Sequence, residues 1–221
     1  AIAAAGGVGV ALTGAGATAD DDTSVTARAG AGNTIVIGAG GLAIVATSRP
    51  DAEADAIGVA VSGGTAVGAS VALATTDGDV SAGVGAGSTL SGGVLTVDAA
   101  RALPGDGTST TAEAIAAAGG YSIAANATVA TAAAEGSVEA VIGDNVVLPD
   151  GAVIVRATEV TRQDAEGLGI AVGYLAVGAN VVTARSDVAT TTRVGSSVST
   201  SAGRDSDLRI AASGADSNTA A

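Results

Sequence analysis

Short runs of aspartate are the residues of this sequence best suited to chemistry. Asp20–Asp22 form a run of three, and Asp77-Gly78-Asp79 and Asp205-Ser206-Asp207 repeat the acidic pattern in glycine- or serine-containing turns. Carboxylate oxygens suit Ca²⁺, which takes about 6–8 oxygen ligands. None of the runs has the spacing of an EF-hand or of a GGxGxDxUx calcium repeat. Aspartate also hydrogen-bonds its own backbone in ordinary turns, so weak Ca²⁺ binding and plain turn chemistry both stay open. The candidate ligands are Asp20, Asp22, Asp77, Asp79, Asp205 and Asp207.

Two carboxylate–arginine pairs form the candidate acid–base groups. They are Asp98 with Arg101 and Arg156 with Glu159, and a tyrosine could act as the acid. On the coil length predicted below, matching positions in successive repeats lie about 14 Å apart, too far for direct cooperation. We therefore expect each pair to be a surface ion pair worth at most about 1 kcal/mol. The expectation is a protein with no catalytic residues.

Tyr121 and Tyr174 follow Gly120 and Gly173 and so occupy the same place in a repeated pattern. One interpretation is an exposed site for sugar stacking or self-association. The favoured interpretation is a filler at a wider part of the fold, with the hydroxyl group at the surface. Threonine runs that could order water, as in ice binding, do not recur in any regular Thr-x-Thr array.

Composition excludes much other chemistry. The 221 residues include 54 Ala and 34 Gly, about 40% together, and no Cys, His, Met, Phe, Trp or Lys. A transition-metal site of His and Cys, a thiol nucleophile, a disulfide and a His or Lys base are therefore absent from the sequence. No resident cofactor is expected. The net charge of −13 disfavours nucleic acid and anionic membranes as partners. An acidic surface without Lys suits a saline exterior, although a GC-rich genome would also replace Lys by Arg.

Three stretches carry no charge and are about long enough for a membrane helix: residues 1–19, Ile57–Thr76 and Ala114–Ala134. They mix Ala and Gly with Ser and Thr instead of forming Leu-rich runs. We therefore expect no membrane insertion. No basic segment precedes the apolar start, which disfavours a signal peptide, and the chain is expected to be a segment of a longer protein.

The sequence repeats about every 55 residues. Segments that begin AIAAAGGVGV, IGVAVSGGTAV, IAAAGGYSIA and LGIAVGYLAV each lead into a Gly-containing block and then a short apolar strand. The matching glycines Gly30, Gly85, Gly143 and Gly195 are 55, 58 and 52 residues apart. Self-similarity at this period predicts stacked structural units. We expect one segment, 1–221, with repeats 1–56, 57–114, 115–167 and 168–221.

Strand is the predicted local structure. Val and Ile alternate with small residues, and Pro50, Pro104 and Pro149 fall between the predicted strands. Alanine favours helix, but an interior glycine costs a helix about 1 kcal/mol relative to Ala, and glycines are frequent. Only Ser109–Ala118 and Ala124–Ala134 remain possible helices.

Small side chains then favour a narrow architecture. A two-sheet sandwich about 10 Å thick would be under-filled without aromatic residues. A solenoid stacks small inward side chains on one another, and its Ala and Gly faces could lie closer together than usual. We predict an all-β fold, a right-handed parallel β-helix with three coils of about 18 residues per repeat. About 12 coils would give a rod of roughly 55–60 Å.

The succession GGxAVGASVA, acidic turn, VxAxIGxGxxL and GxLxVxA resembles the repeats of very large bacterial surface proteins. These are the filamentous-haemagglutinin-like adhesins and the leukotoxin-like repeat proteins, and the resemblance covers essentially all residues. It implies an extracellular β-helical stalk or fibre segment that contacts adjacent repeats or copies of itself end to end. The alternative is an adhesin segment that binds a glycan or a cell surface. An adhesin should carry an exposed patch or an inserted loop, and only Ala102–Thr111 resembles an insertion.

Overall fold

The protein is all-β. The computed structural model describes residues 1–200 and 207–221. No helix forms among these residues, and none of them forms a helix able to span a membrane. The strands are β1 (Ile2–Gly7), β2 (Val10–Asp22), β3 (Val25–Ala29), β4 (Thr34–Ile37), β5 (Leu42–Ser48), β6 (Ala52–Ser62), β7 (Thr65–Asp77), β8 (Asp79–Val84), β9 (Thr89–Gly92), β10 (Leu95–Arg101), β11 (Thr110–Gly120), β12 (Ile123–Ile142), β13 (Val147–Leu148), β14 (Val153–Val172), β15 (Leu175–Val194), β16 (Ser199–Thr200) and β17 (Leu208–Ala220).

The strands form three parallel sheets, which the chain visits in a fixed order. Sheet A contains β1, β5, β6, β10, β11, β14 and β17; sheet B contains β2, β3, β7, β8, β12 and β15; sheet C contains β4, β9, β13 and β16. We call the strands at one level a rung. The first rung is β1–β4, the second β5–β9, the third β10–β13 and the fourth β14–β16, and β17 begins a fifth.

One sequence repeat corresponds to one rung. In sheet B, Val10 pairs with Thr65, Thr65 with Ile123, and Ile123 with Leu175, at separations of 55, 58 and 52 residues. The predicted coil of about 18 residues, and with it the count of about 12 coils, is therefore wrong. The reason is the length of the strands: β12, β14 and β15 each run for 20 residues. The predicted 14 Å between matching positions is wrong too, because those positions are neighbours in a ladder with strands about 4.8 Å apart.

The tapered part of the molecule, which we call the blade, consists of sheets A and B alone and has an alanine interior. It contains residues 1–19, 52–76, 110–134 and 165–184. Burial alternates along β11 over its whole length, so every second residue faces inward. Alanines at the inward positions form two clusters, in which Ala72, Ala114 and Ala130 are fully buried. Between these clusters the inward positions of sheet B carry buried polar residues such as Asn126 and Thr128.

The two sheets of the blade approach until backbone meets backbone. A Cβ added to Gly58 of sheet A would lie 2.6 Å from the carbonyl oxygen of Ala69 in sheet B. A Cβ on Gly167 would lie 2.6 Å from Cγ2 of Val182, so a larger residue in one sheet faces glycine in the other. The separation is thus smaller than the roughly 10 Å typical of stacked sheets. This agrees with the expectation of unusually close faces.

The other part, which we call the prism, is enclosed by all three sheets and has an aliphatic interior. It contains residues 25–48, 80–101, 138–157 and 188–200. Its core includes the fully buried Leu90, Leu95 and Ile142, one from each sheet. A third sheet opens the space that these larger side chains fill.

Both candidate helices are strands. Ser109–Ala118 lies almost entirely in β11, and Ala124–Ala134 lies within β12. Parallel ladder pairing on both sides outweighs the helix preference of alanine. The predicted insertion is confirmed. Eight residues, 102–109, join positions whose ladder partners Ser48 and Ala52 are joined by three residues.

Candidate functional site

A pair of tyrosines stands at the tip of the blade, where sheet A turns into sheet B. Tyr121 is 83% exposed and Tyr174 is 97% exposed. They lie on adjacent rungs, and the backbone N–H of Tyr174 donates to the carbonyl oxygen of Tyr121 over 3.4 Å. The favoured prediction that these residues fill space inside the fold is wrong. The blade is too thin at the tip to enclose a ring, so both rings project into solvent.

The tyrosines line a shallow cleft of about 560 Å³ together with Ser122, Ile123 and Leu175. Ile123 and Leu175 are ladder partners and are 41% and 54% exposed. The cleft therefore offers two aromatic faces, an apolar floor and a few hydroxyl groups. Such surfaces suit a flat, partly apolar ligand such as a sugar ring.

A layer of polar side chains separates the blade core from the prism core. We call it the polar seam: Thr76, Arg101, Thr110, Glu159, Thr161 and Gln163, each at most 2% exposed. The Arg101 guanidinium donates to the backbone carbonyl oxygens of Glu135 and Thr76. Burial lowers the pKa of Arg101, and the neighbouring carboxylates, Glu159 foremost, oppose that effect.

Glu159 is the acidic member of the polar seam, and its pKa is shifted upward. Burial, together with a hydrogen bond to Asp216, raises its pKa to about 7 from the usual 4.5, while Thr161 and Arg101 act in the opposite direction. Thr161 donates to Asp216 over 2.8 Å and contacts the hydroxyl of Ser186 at 3.3 Å. Oε1 of Glu159 has no hydrogen-bond partner within the described chain, nor do the amide atoms of Gln163.

Neither predicted carboxylate–arginine pair forms, and a different pair forms between neighbouring rungs. Residues three apart in a strand point to opposite faces, so Asp98 points outward while Arg101 points inward, and Arg156 and Glu159 are divided likewise. Ladder partners meet instead: Arg156 and Asp98 form an ion pair at 2.6 Å. This pair raises the pKa of Arg156. The expectation of a surface ion pair therefore applies to Asp98 with Arg156, whereas Arg101 and Glu159 are buried.

The acidic turns use their carboxylates locally. Asp22 is the ladder partner of Asp77, whose Oδ1 accepts from the N–H of Gly78 over 2.7 Å. Asp79 accepts from the hydroxyl of Ser137 over 2.6 Å, and Asp20 points outward beside them. Asp207 lies elsewhere, just before β17, and Asp205 is outside the described residues. Among the residues that the structure describes, no three acidic groups converge as a metal site would require.

Another carboxylate fixes a turn between sheets B and C. Asp144 accepts from both the N–H and the hydroxyl of Ser196, over 2.7 and 2.9 Å. The backbone hydrogen bond is the main cause that lowers the pKa of Asp144. The charged form of this side chain therefore joins the third and fourth rungs at the turn.

Reasoning from the sequence missed the polar seam. Glu159, Thr161 and Gln163 alternate in a strand whose other buried residues are Val153, Val155, Ala157 and Ala165. The available signal was that these polar residues occupy every second position of the strand, in phase with its apolar residues.

Neither a family model, nor a curated protein, nor a solved structure matches this chain.

Proposed function

We propose that this chain is a structural segment of a right-handed β-solenoid, a stiff stalk or fibre of a secreted, repetitive cell-surface protein. The right hand follows the usual preference of parallel crossovers. Each circuit of the solenoid is one rung of about 55 residues. Its role is mechanical, because ladders of backbone hydrogen bonds run along the stacking axis and link every rung to the next.

The observation that carries this proposal is the open edge at each end of the ladder. Strands β1–β5 pair on one side only, and so do β15, β16 and β17, among the described residues. Open edges of parallel strands are templates for further strands. Because the rungs share one register, the last rung of one copy offers the pairing pattern that the first rung of another requires.

The two ends also have matching steps. At the fifth level, β17 occupies the part of sheet A that pairs with Val153–Ala165. At the first level, β1 occupies the other part, which pairs with Ile57–Ser62. A further repeat of the same pattern, in the same chain or in a second copy, would continue sheet A beside β17. End-to-end contact with copies of itself, or with adjacent repeats, is the partner we propose.

Electron microscopy and sedimentation test this stacking. We expect particles whose length, at constant width, increases with concentration. In β15, the backbone N–H of Leu175 donates to the carbonyl oxygen of Ser122 on the third rung. Because successive N–H groups of a strand point to opposite sides, those of Ala176 and Ala184 point to the open edge. Ala176→Pro/Ala184→Pro should stop growth by removing two edge donors, whereas Ala176→Ser/Ala184→Ser keeps both donors and should stack normally. Constant particle length at all concentrations up to about 1 mM would contradict end-to-end assembly.

The exposed tyrosines favour a second candidate, an adhesin segment that binds a glycan. NMR titration with neutral oligosaccharides should then shift signals of Tyr121, Tyr174 and Leu175, and Tyr121→Ala/Tyr174→Ala should abolish the shifts. Val8→Ala, which changes another exposed tip residue two rungs from Tyr121 and three from Tyr174, is the matched control. Unchanged spectra at millimolar sugar would remove this candidate.

Weak Ca²⁺ binding by the acidic turns stays a prediction. Calorimetric titration of the chain with Ca²⁺ tests it, and Asp77→Asn/Asp79→Asn should reduce the heat by the contribution of their turn. An absence of heat at millimolar Ca²⁺ would remove the idea.

A further inference from the structure

The outer face of sheet B in the blade carries no charged side chain. Five outward columns cross four rungs, and most of their side chains are apolar. Leu12, Leu175, Val177 and Val181 are each more than half exposed. A contiguous exposed apolar patch on a soluble domain usually marks an interaction site. The columns are Val10/Thr65/Ile123/Leu175, Leu12/Val67/Ala125/Val177, Gly14/Ala69/Ala127/Ala179, Gly16/Val71/Val129/Val181 and Thr18/Leu73/Thr131/Thr183.

On the second and fourth rungs this face has a shallow groove between branched side chains. The central column, Gly14/Ala69/Ala127/Ala179, carries nothing larger than a methyl group. Val67 and Val71 flank Ala69 on the second rung, and Val177 and Val181 flank Ala179 on the fourth. A ridge of branched side chains from an identical face would fit this groove, as in the dry packing of paired sheets.

We propose that this face is a lateral interface with a second copy of the chain. The charge pattern favours that partner. The molecule carries a net charge of −13, yet the first charged positions next to the face are Asp20 and Arg185, in the column beyond it. Two such faces can therefore meet without burying an unpaired charge. The corresponding outer face of sheet A has only three apolar columns and is bordered by Asp55, Glu113 and Glu166, so two copies would repel there.

A lipid surface fits this face less well. The open backbone edges of the first and fourth rungs would enter the hydrocarbon together with the apolar columns, and each unpaired group there costs several kcal/mol. The size of the face suits a weak protein contact. Five columns and four rungs span roughly 30 by 20 Å, about 600 Å², compared with about 800 Å² per partner in a standard interface. Each further rung would enlarge the contact, so longer stacks should pair more tightly.

Sedimentation of the end-blocked variant Ala176→Pro/Ala184→Pro separates lateral pairing from stacking. We expect dimers that dissociate on dilution. Ala127→Glu and Val177→Glu, each tested alone in that background, should weaken dimerisation at least tenfold because each buries an unpaired charge. Thr191→Glu places the same charge on the outer face of sheet B in the prism, away from the proposed interface, and should leave the dimer intact.

A second readout uses the absence of cysteine from the chain. Ala127 lies near the centre of the face, where a two-fold axis would bring equivalent residues together. Ala127→Cys should therefore oxidise to a disulfide-linked dimer at least tenfold faster than Thr191→Cys. Three results would overturn the proposal: a monomer at every concentration, a dimer insensitive to both glutamate variants, or binding of the monomer to phosphatidylcholine vesicles that Ala127→Glu abolishes. Because the end-blocked background is used, loss of stacking leaves this test unaffected.

Discussion

The blade and the prism are built from the same rungs but fill their interiors differently. In the blade, two sheets approach so closely that alanine methyl groups and glycines fill most of the space. In the prism, a third sheet widens the space, and leucine, isoleucine and valine fill it. A buried alanine loses no side-chain entropy but has only one methyl group to bury. Burial of each large aliphatic side chain, by contrast, stabilises the fold by about 1.5–3 kcal/mol. We infer that backbone ladders with tight contacts stabilise the blade and that hydrophobic burial stabilises the prism.

The largest expected effect comes from truncating the prism core. Leu95→Ala removes a fully buried side chain and should lower the free energy of unfolding by about 2–5 kcal/mol, because a cavity remains. Leu73→Ala is the matched control, since Leu73 points outward from the blade and is 38% exposed. Urea unfolding measures both changes. Equal losses in the two variants would refute the assigned difference between interior and exterior.

The seam between the two regions should make stability depend on pH. The pKa of Glu159 is raised to about 7, so the folded state holds this proton more tightly than the unfolded state. The stabilisation is complete below about pH 4.5 and is lost as pH rises through 7. We expect the free energy of unfolding to fall by up to about 3 kcal/mol from pH 5 to pH 8.

Glu159→Gln, which stays neutral, should remove that loss between pH 5 and pH 8. Glu53→Gln changes an exposed glutamate on the outer face of sheet A and should preserve the slope. Asp144 provides an opposite effect at low pH. Its pKa is lowered, so its stabilisation is lost as pH falls through that lowered pKa. A pH profile of Glu159→Gln identical to that of the wild type would exclude the buried acid as the cause.

The close approach of the blade sheets predicts a cost for adding one methyl group. Gly58→Ala would place Cβ 2.6 Å from a carbonyl oxygen of the opposite sheet and should destabilise by about 1–3 kcal/mol. Gly14→Ala, on the outer face with nothing within 4 Å, should be neutral or stabilising by less than about 1 kcal/mol. Thermal unfolding compares the pair. A neutral Gly58→Ala would mean that the sheets lie further apart.

The smallest expected effect is at the surface of the prism. Asp98→Asn breaks the exposed ion pair with Arg156 and should cost about 0–1 kcal/mol, less at high salt. A double-mutant cycle with Arg156→Gln isolates the pair. A coupling energy above about 2 kcal/mol would show that surface charge contributes as much as the interior of either region.

Much of the fold could be predicted because its signals are local. Alternating small and branched residues indicated strands, the period of about 55 residues matches the ladder register, and the prolines lie between strands. The number of coils in each repeat could not be read in this way. Gly78 and Gly136 resemble turn residues, yet with φ of 145° and 113° they lie at bends within one long rung. The repeat length is the same for one long circuit or three short ones.

The candidate site was less accessible from sequence. Tyr121 and Tyr174 were recognised as equivalent, but their exposure depends on how thin the blade is at its tip. The pairing of Asp98 with Arg156 depends on the register between rungs, which the incorrect coil length concealed. Contacts between residues about 55 apart become visible only once the circuit length is known.

Disulfide trapping tests the central claim, one rung per repeat, most directly. Thr131 and Thr183 are ladder partners in β12 and β15 and both face outward. With strands about 4.8 Å apart, Thr131→Cys/Thr183→Cys should form an intramolecular disulfide readily. Thr131→Cys/Asp187→Cys, displaced by four residues on the same face, should stay reduced. Closure of the displaced pair, with the in-register pair remaining open, would contradict the stacking described here.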